Sequence, residues 1–315
     1  MRASFFMFSA QSVPPQTLVT LSFWTCARAV KITFGFANRA TPATMRGMDI
    51  LLSQTRIAAL RQASAQQVVV EIVAETASTN ADLLARLEQL SSPLLLAAEV
   101  QTAGRGRAGR SWHSAAGATL TFSLAWRFQR PLQSLLGLPL AVGVALAEAL
   151  AALDVPVALK WPNDVLKDGK KLAGILLETV ALPASGQGGQ RGTWAVIGIG
   201  LNLTVPDQLE AQIGHLVADA RWLARMDRSQ LLAALLNALA EALTQFEEGG
   251  FKAFMSRWNS LHAHAGQMVR ILDHGQLLHE GCAVGVDESG CLLLDTAAGR
   301  IAVVAGDVSL RIREN

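Results

Sequence analysis

Leu120, Phe122, Leu124 and Trp126 alternate with smaller or polar residues at a period of two, the pattern of a strand with one face in a core. The run before them, Leu94 to Val100, is largely apolar and predicts a core strand. Upstream, Val68 to Val73 is β-rich, and Ala77-Ser-Thr-Asn80 then opens a helix predicted to reach about Leu90. Leu83, Leu84, Leu87 and Leu90 follow helical spacing there, and Thr79 with Asp82 resembles a capping box. Leu138 to Leu153 reads as a helix apolar on every side, which places it inside the protein. Val157 to Trp161, a Pro-Asn-Asp turn, Val165-Leu166, an Asp168-Gly169 hairpin signal and a strand from Leu172 to Val180 come next. Pro183 to Gly192 reads as an exposed loop. Trp194 to Leu203 is then a strand whose bare positions, Gly198 and Gly200, imply close approach by a ligand or another chain. Amphipathic helices at Arg228–Phe246 and Gly250–Leu261 precede short strands with turns over Gln267–Ile312. Successive hairpins rather than repeated strand-helix-strand units predict an α+β fold with a mixed, largely antiparallel sheet carrying helices on one face.

Composition adds bounds to this picture. The chain has 315 residues, 51% hydrophobic and 17% charged, enough for one large domain and a small one. Its formal charge of +2 hides an asymmetry, because all 25 acidic residues lie at Asp49 or later. Arg2, Arg28, Lys31, Arg39 and Arg46 precede them, so the remainder carries 22 basic against 25 acidic residues, a net −3. That body has no general attraction to nucleic acid. The acid-free tail, Met1 to Gly47, could be a targeting peptide by composition. The preferred expectation is a poorly structured extension, residues 1–48, outside the folded protein, with Met45 or Met48 as the real beginning.

Three cysteines, Cys26, Cys282 and Cys291, make no disulfide framework, which fits a reducing, cytoplasmic setting. The six histidines show no metal-site spacing beyond His262-Ala-His264, and no metal site is expected. No uninterrupted apolar run reaches the roughly 18 to 20 residues of a membrane span.

The most informative segment is Gly104 to Arg110, seven residues holding three glycines and three arginines. Guanidiniums a few ångströms apart repel, by roughly 1 kcal/mol in water and more near a protein surface. An empty loop of this kind should stay solvated and mobile, and an anion should order it. Glycine lets the backbone approach a ligand, and arginine offers a permanently charged fork for carboxylate or phosphate.

Four motifs stand in one order: Ser78-Thr79-Asn80, the Gly-Arg loop, Lys160-Trp-Pro-Asn-Asp164 followed by Lys171-Leu-Ala-Gly174, and Gly198-Ile-Gly-Leu-Asn202. Together they resemble the catalytic domain of biotin protein ligases, and the resemblance covers about Val68 to Ile312. It implies a class II synthetase-like biotin/lipoate ligase domain over 49–263 and a small SH3-like β-barrel over 264–315. In that family ATP activates biotin to biotinyl-5′-adenylate with loss of pyrophosphate. A lysine of a biotin carboxyl carrier protein, a subunit of acetyl-CoA carboxylase, then takes the biotin. Neither step needs a protein nucleophile, which accounts for the excess of cations without a Ser-His-Asp set.

By the resemblance, Ser78, Thr79, Asn80 and Gln101 look like polar contacts to the biotin ureido ring; from the residues alone, Thr79 is equally a helix cap. Arg105, Gly106 and Arg107 would fold over biotin and the adenylate phosphate, and Arg110 would reach the ATP phosphates. Trp112 resembles the indole that stacks on adenine, with a core anchor as the other reading. Lys171 resembles the lysine on the carboxylate and α-phosphate, and with Arg107 it would carry the catalysis. Asn163 and Asp164 look like ligands on the nucleotide and Mg²⁺ side, although Pro-Asn-Asp is also good turn chemistry. Gly174, Gly198 and Gly200 would leave room for the flat biotin ring, and Asn202 would lie near the nucleotide. Biotin and ATP are the expected substrates, with Mg²⁺ carried on ATP.

Two departures stand out. Only about 20 residues, Asp49 to Gln67, separate the tail from the first strand, too few for the winged helix-turn-helix of bifunctional relatives, so no DNA binding is expected. Ala108 stands where some relatives carry a further basic residue. A homodimer through the sheet is compatible with the resemblance, and no membrane partner is implied. The competing readings are a lipoate or octanoate transferase of the same fold and, from another class, a nucleic-acid-binding module.

Overall fold

The protein is described by a computed structural model that covers residues 19–23, 30–34, 51–182, 192–205 and 217–313. Cys26, His215, most of the amino-terminal tail and nearly all of the Pro183–Gly192 loop lie outside the described residues. In the tail, β1 (Val19–Phe23) and β2 (Val30–Phe34) pair antiparallel with Val19 opposite Phe34. Residues 1–48 and 49–315 are separate compact units.

The second unit opens with a short α1 (Gln54–Ala59) and is built on a seven-stranded sheet. Its strands are β3 (Val69–Thr76), β4 (Leu94–Gln101), β5 (Thr119–Phe128), β6 (Ala158–Lys160), β7 (Asp164–Lys167), β8 (Lys170–Ala181) and β9 (Thr193–Asn202), in the order β3-β4-β5-β9-β8-β7-β6. β3 and β4 run parallel and every other pair antiparallel. The single parallel pair needs a crossover, and α2 (Thr79–Arg86) supplies it. Asp168 and Gly169 take φ values of 51° and 75° between β7 and β8, the two left-handed residues of a tight hairpin turn.

Alternation sorts the strand side chains to two faces. On one, α3 (Leu138–Ala151) and α4 (Arg228–Gly249) close the main core over Leu95, Ala97, Leu120, Leu124 and Ile197. On the other, the short α2 sets Leu83 and Leu87 against Leu94, Leu96, Ala125 and Val196. The long helices therefore share one face as expected, and a single eight-residue helix lies opposite. α3 is almost wholly apolar because ten of its fourteen residues are buried, with Glu148 and Ala151 reaching solvent in its last turn; a Cβ at its Gly143 would meet Leu159 and Ile175. The segment Leu132–Ala151 is long and apolar enough to cross a membrane by composition, yet its helix is a core element here.

Two local details depart from the sequence reading. The cap of α2 is Ser78, whose hydroxyl accepts from Ala81 N–H, rather than Thr79. Asp82 is bound instead to the Thr76 hydroxyl at 2.5 Å. Gly250–Leu261 divides into a 3₁₀ turn, Phe251–Ala253, and a short α5 (Met255–Ser260). At the start of α4, Asp227 accepts from Ser229 and Gln230, while the buried Arg228 pairs with Glu99 on β4. Glu99 also accepts from Leu52 N–H at 2.6 Å, so one buried ion pair ties residue 52, the sheet and α4 together.

The carboxyl-terminal strands β10 (Met268–Asp273), β11 (Gln276–Val286), β12 (Leu292–Thr296), β13 (Gly299–Val303) and β14 (Val308–Ile312) form an antiparallel five-stranded sheet, ordered β13-β12-β11-β10-β14. Its core residues Val269, Ile271, Ala283, Leu294 and Leu310 join the main core. The junction is also polar: Trp161 Nε1 donates to the Gly290 carbonyl at 3.1 Å, and Val286 N–H donates to Asn259 Oδ1 at 2.8 Å.

Candidate active site

Because α2 is only two turns long, half of its face of the sheet is left open, and strand register decides what appears there. Thr121, Gly200, Gly174 and Asp164 lie in one row across β5, β9, β8 and β7; Ser123, Gly198 and Leu176 lie in the next. These rows floor a cleft that opens to solvent. The start of α2 walls one end. The Gly-Arg loop crosses it, and Val308 of the carboxyl-terminal sheet closes the far side.

The α2 end is neutral and tightly hydrogen-bonded. Gln101 Oε1 accepts from Thr79 N–H at 2.8 Å and lies 2.9 Å from the Thr79 hydroxyl, which is 2.6 Å from Ser123 Oγ. Ser123 donates to Asn80 Oδ1 at 2.5 Å, and Asn80 Nδ2 donates to Glu178 at 2.9 Å. Ser78, Thr79, Asn80 and Ser123 are all buried. Hydroxyls and amides at fixed positions suit a small neutral polar ring.

The other end is cationic. Lys171 Nζ lies 2.5 Å from Asp164 Oδ1. Arg107 donates to Asn163 Oδ1 at 3.0 Å and to the Gly306 carbonyl, while Asn163 Nδ2 holds the Ile175 carbonyl at 2.8 Å. Burial pushes the Arg107 pKa down, an effect that Asp164 and Asp307 oppose and Arg110 reinforces. Burial likewise lowers Lys160; Asp164 opposes this, while Arg311, Lys171 and Arg110 add to it. Arg107 and Lys160 thus sit partly buried among further cations, Arg110, Arg311 and Lys171, with Asp164 acting on both and Asp307 on Arg107. An anion placed there relieves their mutual repulsion.

The loop between the ends is a closed turn, not the solvated coil expected from its charge. Gly106 N–H donates to the Arg110 carbonyl at 2.7 Å, Trp112 N–H to Gly104 at 2.8 Å, and Arg105 bridges to Ser111. Ala108 and Gly109 take φ of 52° and 69° at its tip. Internal acceptors explain the order: Arg105 is paired with Glu178 at 2.9 Å and Arg107 with Asn163 and Gly306, so the guanidiniums are held apart.

The structure brings Ser78, Thr79, Asn80, Gln101, Arg105, Gly106, Arg107, Arg110, Trp112, Asn163, Asp164, Lys171, Gly174, Gly198 and Gly200 to this one cleft. Asn202 is the exception. It is buried beneath the wall, its amide directed to the Ala218 carbonyl at 3.3 Å and the Lys171 carbonyl at 3.5 Å, so it braces the lysine's backbone. Two of the glycines also make room for neighbouring side chains. A Cβ at Gly198 would lie 2.3 Å from Asn80 Oδ1, and one at Gly200 would lie 2.2 Å from the Trp112 indole. They admit Asn80 and Trp112 to the floor of the cleft, which both glycines also line. Trp112 lies under Lys171 Nζ, 5.9 Å from the ring centre, and its buried Nε1 has no hydrogen-bond partner among the described residues.

Sequence reading missed Ser123, Glu178 and Val308. A serine inside the otherwise apolar β5 was a usable signal, since a buried hydroxyl needs a partner. Glu178 follows Gly174 and Leu176 at period two and was legible by alternation. Val308 arrives from the distant sheet, with no local cue.

The biotin/lipoate A/B protein ligase family model matches residues 70–202, and the biotin protein ligase C-terminal domain model matches 264–311. The bifunctional ligase/repressor BirA of Escherichia coli is 34% identical over 244 residues, 75% of this chain and 72% of its own length. The chain belongs to the biotin/lipoate protein ligase family. Within this family, the biotin–[acetyl-CoA-carboxylase] ligase of Mycobacterium tuberculosis is 37% identical over 76% of this chain and 87% of its own. The biotin protein ligase from Aquifex aeolicus, solved with biotin and ATP, superposes with a TM-score of 0.64 at 31% identity, covering 78% of this chain and 99% of that one. The fold is that of the ligase catalytic domain with its small carboxyl-terminal β domain.

Proposed function

We propose that the protein is an ATP-dependent biotin protein ligase. The observation that carries this reading is the joining of two unlike ends in one cleft, a neutral hydrogen-bonded end beside α2 and a cationic end around Lys171. Biotin has the matching polarity, with an uncharged ureido ring and a carboxylate. In the first step a biotin carboxylate oxygen bonds to the α-phosphorus of ATP, and the bond to pyrophosphate breaks. The carboxylate and triphosphate repel each other, and Lys171, Arg107 and Arg110 stand where they lower that repulsion. Lys171 reaches the reacting oxygens by exchanging its contact with Asp164 for an anionic ligand. Trp112, with its unpartnered Nε1, offers an aromatic face and a donor to the nucleotide base. Asn163 and Asp164 face the phosphates, and Mg²⁺ enters with ATP. In the second step an amine of a carrier lysine attacks the acyl carbon, AMP leaves, and the amine gives up its proton to solvent.

The acceptor in this reading is a biotin carboxyl carrier protein. The setting is the cytoplasm, and a homodimer through the large sheet is compatible with the fold; sedimentation with and without biotin and ATP checks the assembly. Incubation with biotin, ATP and a carrier domain is expected to give streptavidin-detectable product. Product formed from lipoate and not from biotin would overturn the substrate assignment.

A further inference from the structure

Glu178 stands outside the cleft wall, yet two wall residues meet on one of its oxygens. Oε2 accepts from Asn80 Nδ2 at 2.9 Å and from Arg105 at 2.9 Å. Asn80 comes from the start of α2 and Arg105 from the Gly-Arg loop, 25 residues apart in the chain and joined at this carboxylate. A carboxylate is an acceptor only, so it dictates the orientation of the amide that meets it. With Nδ2 turned to Glu178, Oδ1 must face Ser123 as an acceptor. Ser123 then spends its single proton on Asn80 and can meet the Thr79 hydroxyl, 2.6 Å away, only as an acceptor, while that hydroxyl also lies 2.9 Å from Gln101 Oε1 as a donor. One charge thereby sets the direction of the Asn80–Ser123 hydrogen bond. Gly198 fixes the other side of the same amide, since no Cβ fits beside Asn80 Oδ1.

We propose that Glu178 is a positioning residue that sets the Asn80 amide and latches the Gly-Arg loop to the neutral end through Arg105. It links recognition of the ring to closure over the charged half. A ligand that needs Asn80 in this orientation finds it already set, and the loop is held by a bond at its first arginine rather than only by the ligand. The proposal rests on the biotin ligase reading for the identity of the ring, but the latch itself does not.

Glu178→Gln tests both halves by hydrogen exchange of the Arg105–Ser111 amides without ligand and by biotin calorimetry. Loop exchange is expected to quicken, and the biotin dissociation constant to rise about tenfold, the scale of a lost charge-assisted hydrogen bond. Turnover at saturating biotin should stay within about twofold, because no reacting atom touches Glu178. Arg105→Gln should quicken loop exchange similarly, and the double variant should add little to either, the mark of a shared contact. Glu178→Asp, which withdraws the same charge by one methylene, serves as a second probe with the same expected loosening if the amide unsettles the fold. Unchanged loop exchange, additive effects in the double variant, or a turnover loss with unchanged biotin affinity would each overturn the proposal. Loop exchange needs no substrate, so a protein that failed the streptavidin assay would refute the ligase reading and leave the latch standing.

Discussion

The two ends of the cleft are built on opposite principles. Around Thr79, Asn80, Gln101 and Ser123 the polar groups are buried or half-buried and already bonded to one another, so a ligand meets a finished surface. Around Arg107, Arg110, Lys160 and Lys171 the charge is unbalanced, and the wall reaches its best electrostatic state only with an anion present. The difference separates recognition from chemistry. A neutral preformed end selects by shape and hydrogen-bond match, whereas the charged end gains most where negative charge grows in the transition state.

The largest expected break in this contrast is Lys171→Ala. Adenylate formation should fall by about 10²–10³, the scale of losing one preorganised charge, while biotin binding weakens far less. Pyrophosphate exchange beside biotin calorimetry measures the two, and equal losses would make the lysine a simple binding group.

Acid tests the charged end from behind. His262 and His264 are buried against Trp258 and near Lys160, and burial holds both pKa values down to about 4, with His264 acting on His262 and Lys160 on His264 as further causes. The folded values lie below the ordinary 6.5, so between pH 6.5 and 4 the unfolded chain binds more protons. Their contribution is fully present above pH 6.5, declines as the pH falls to about 4, and changes no further below it. Each ring should remove on the order of 2–3 kcal/mol across that window. Melting from pH 7 to 4.5 should show the decline, and His264→Asn should flatten it; parallel slopes would exclude these rings as the cause.

Smaller effects separate the floor glycines. Gly198→Ala should displace Asn80 and raise the biotin dissociation constant about tenfold with ATP affinity little changed, whereas Gly200→Ala should displace Trp112 and do the reverse. Titration of each ligand against each variant measures the split, and identical patterns would erase the distinction between the ends.

Much of this arrangement was legible in the chain. The Gly-Arg loop, Lys160-Trp-Pro-Asn-Asp164 and Lys171 are local signals, and the apolar periods placed β4, β5 and α3 closely. What escaped depended on pairing across distance. Asn202 sits in a strand that reaches the cleft, but register turns its amide under Lys171, toward the Lys171 and Ala218 carbonyls. Gly198 and Gly200 announced close approach correctly, yet only the folded chain shows that Asn80 and Trp112 take the space. The loop's order was unreadable because its acceptors, Glu178, Asn163 and Gly306, lie between 56 and 199 residues away.

The division of labour is tested most directly by titrating the protein with ATP and with biotin methyl ester, which keeps the ureido ring and lacks the carboxylate charge, over a range of KCl. ATP affinity should fall steeply with salt while the ester's affinity stays nearly flat, because only one end of the cleft works by charge. Equal salt slopes for the two ligands would contradict the division between a neutral recognition end and a charged reacting end.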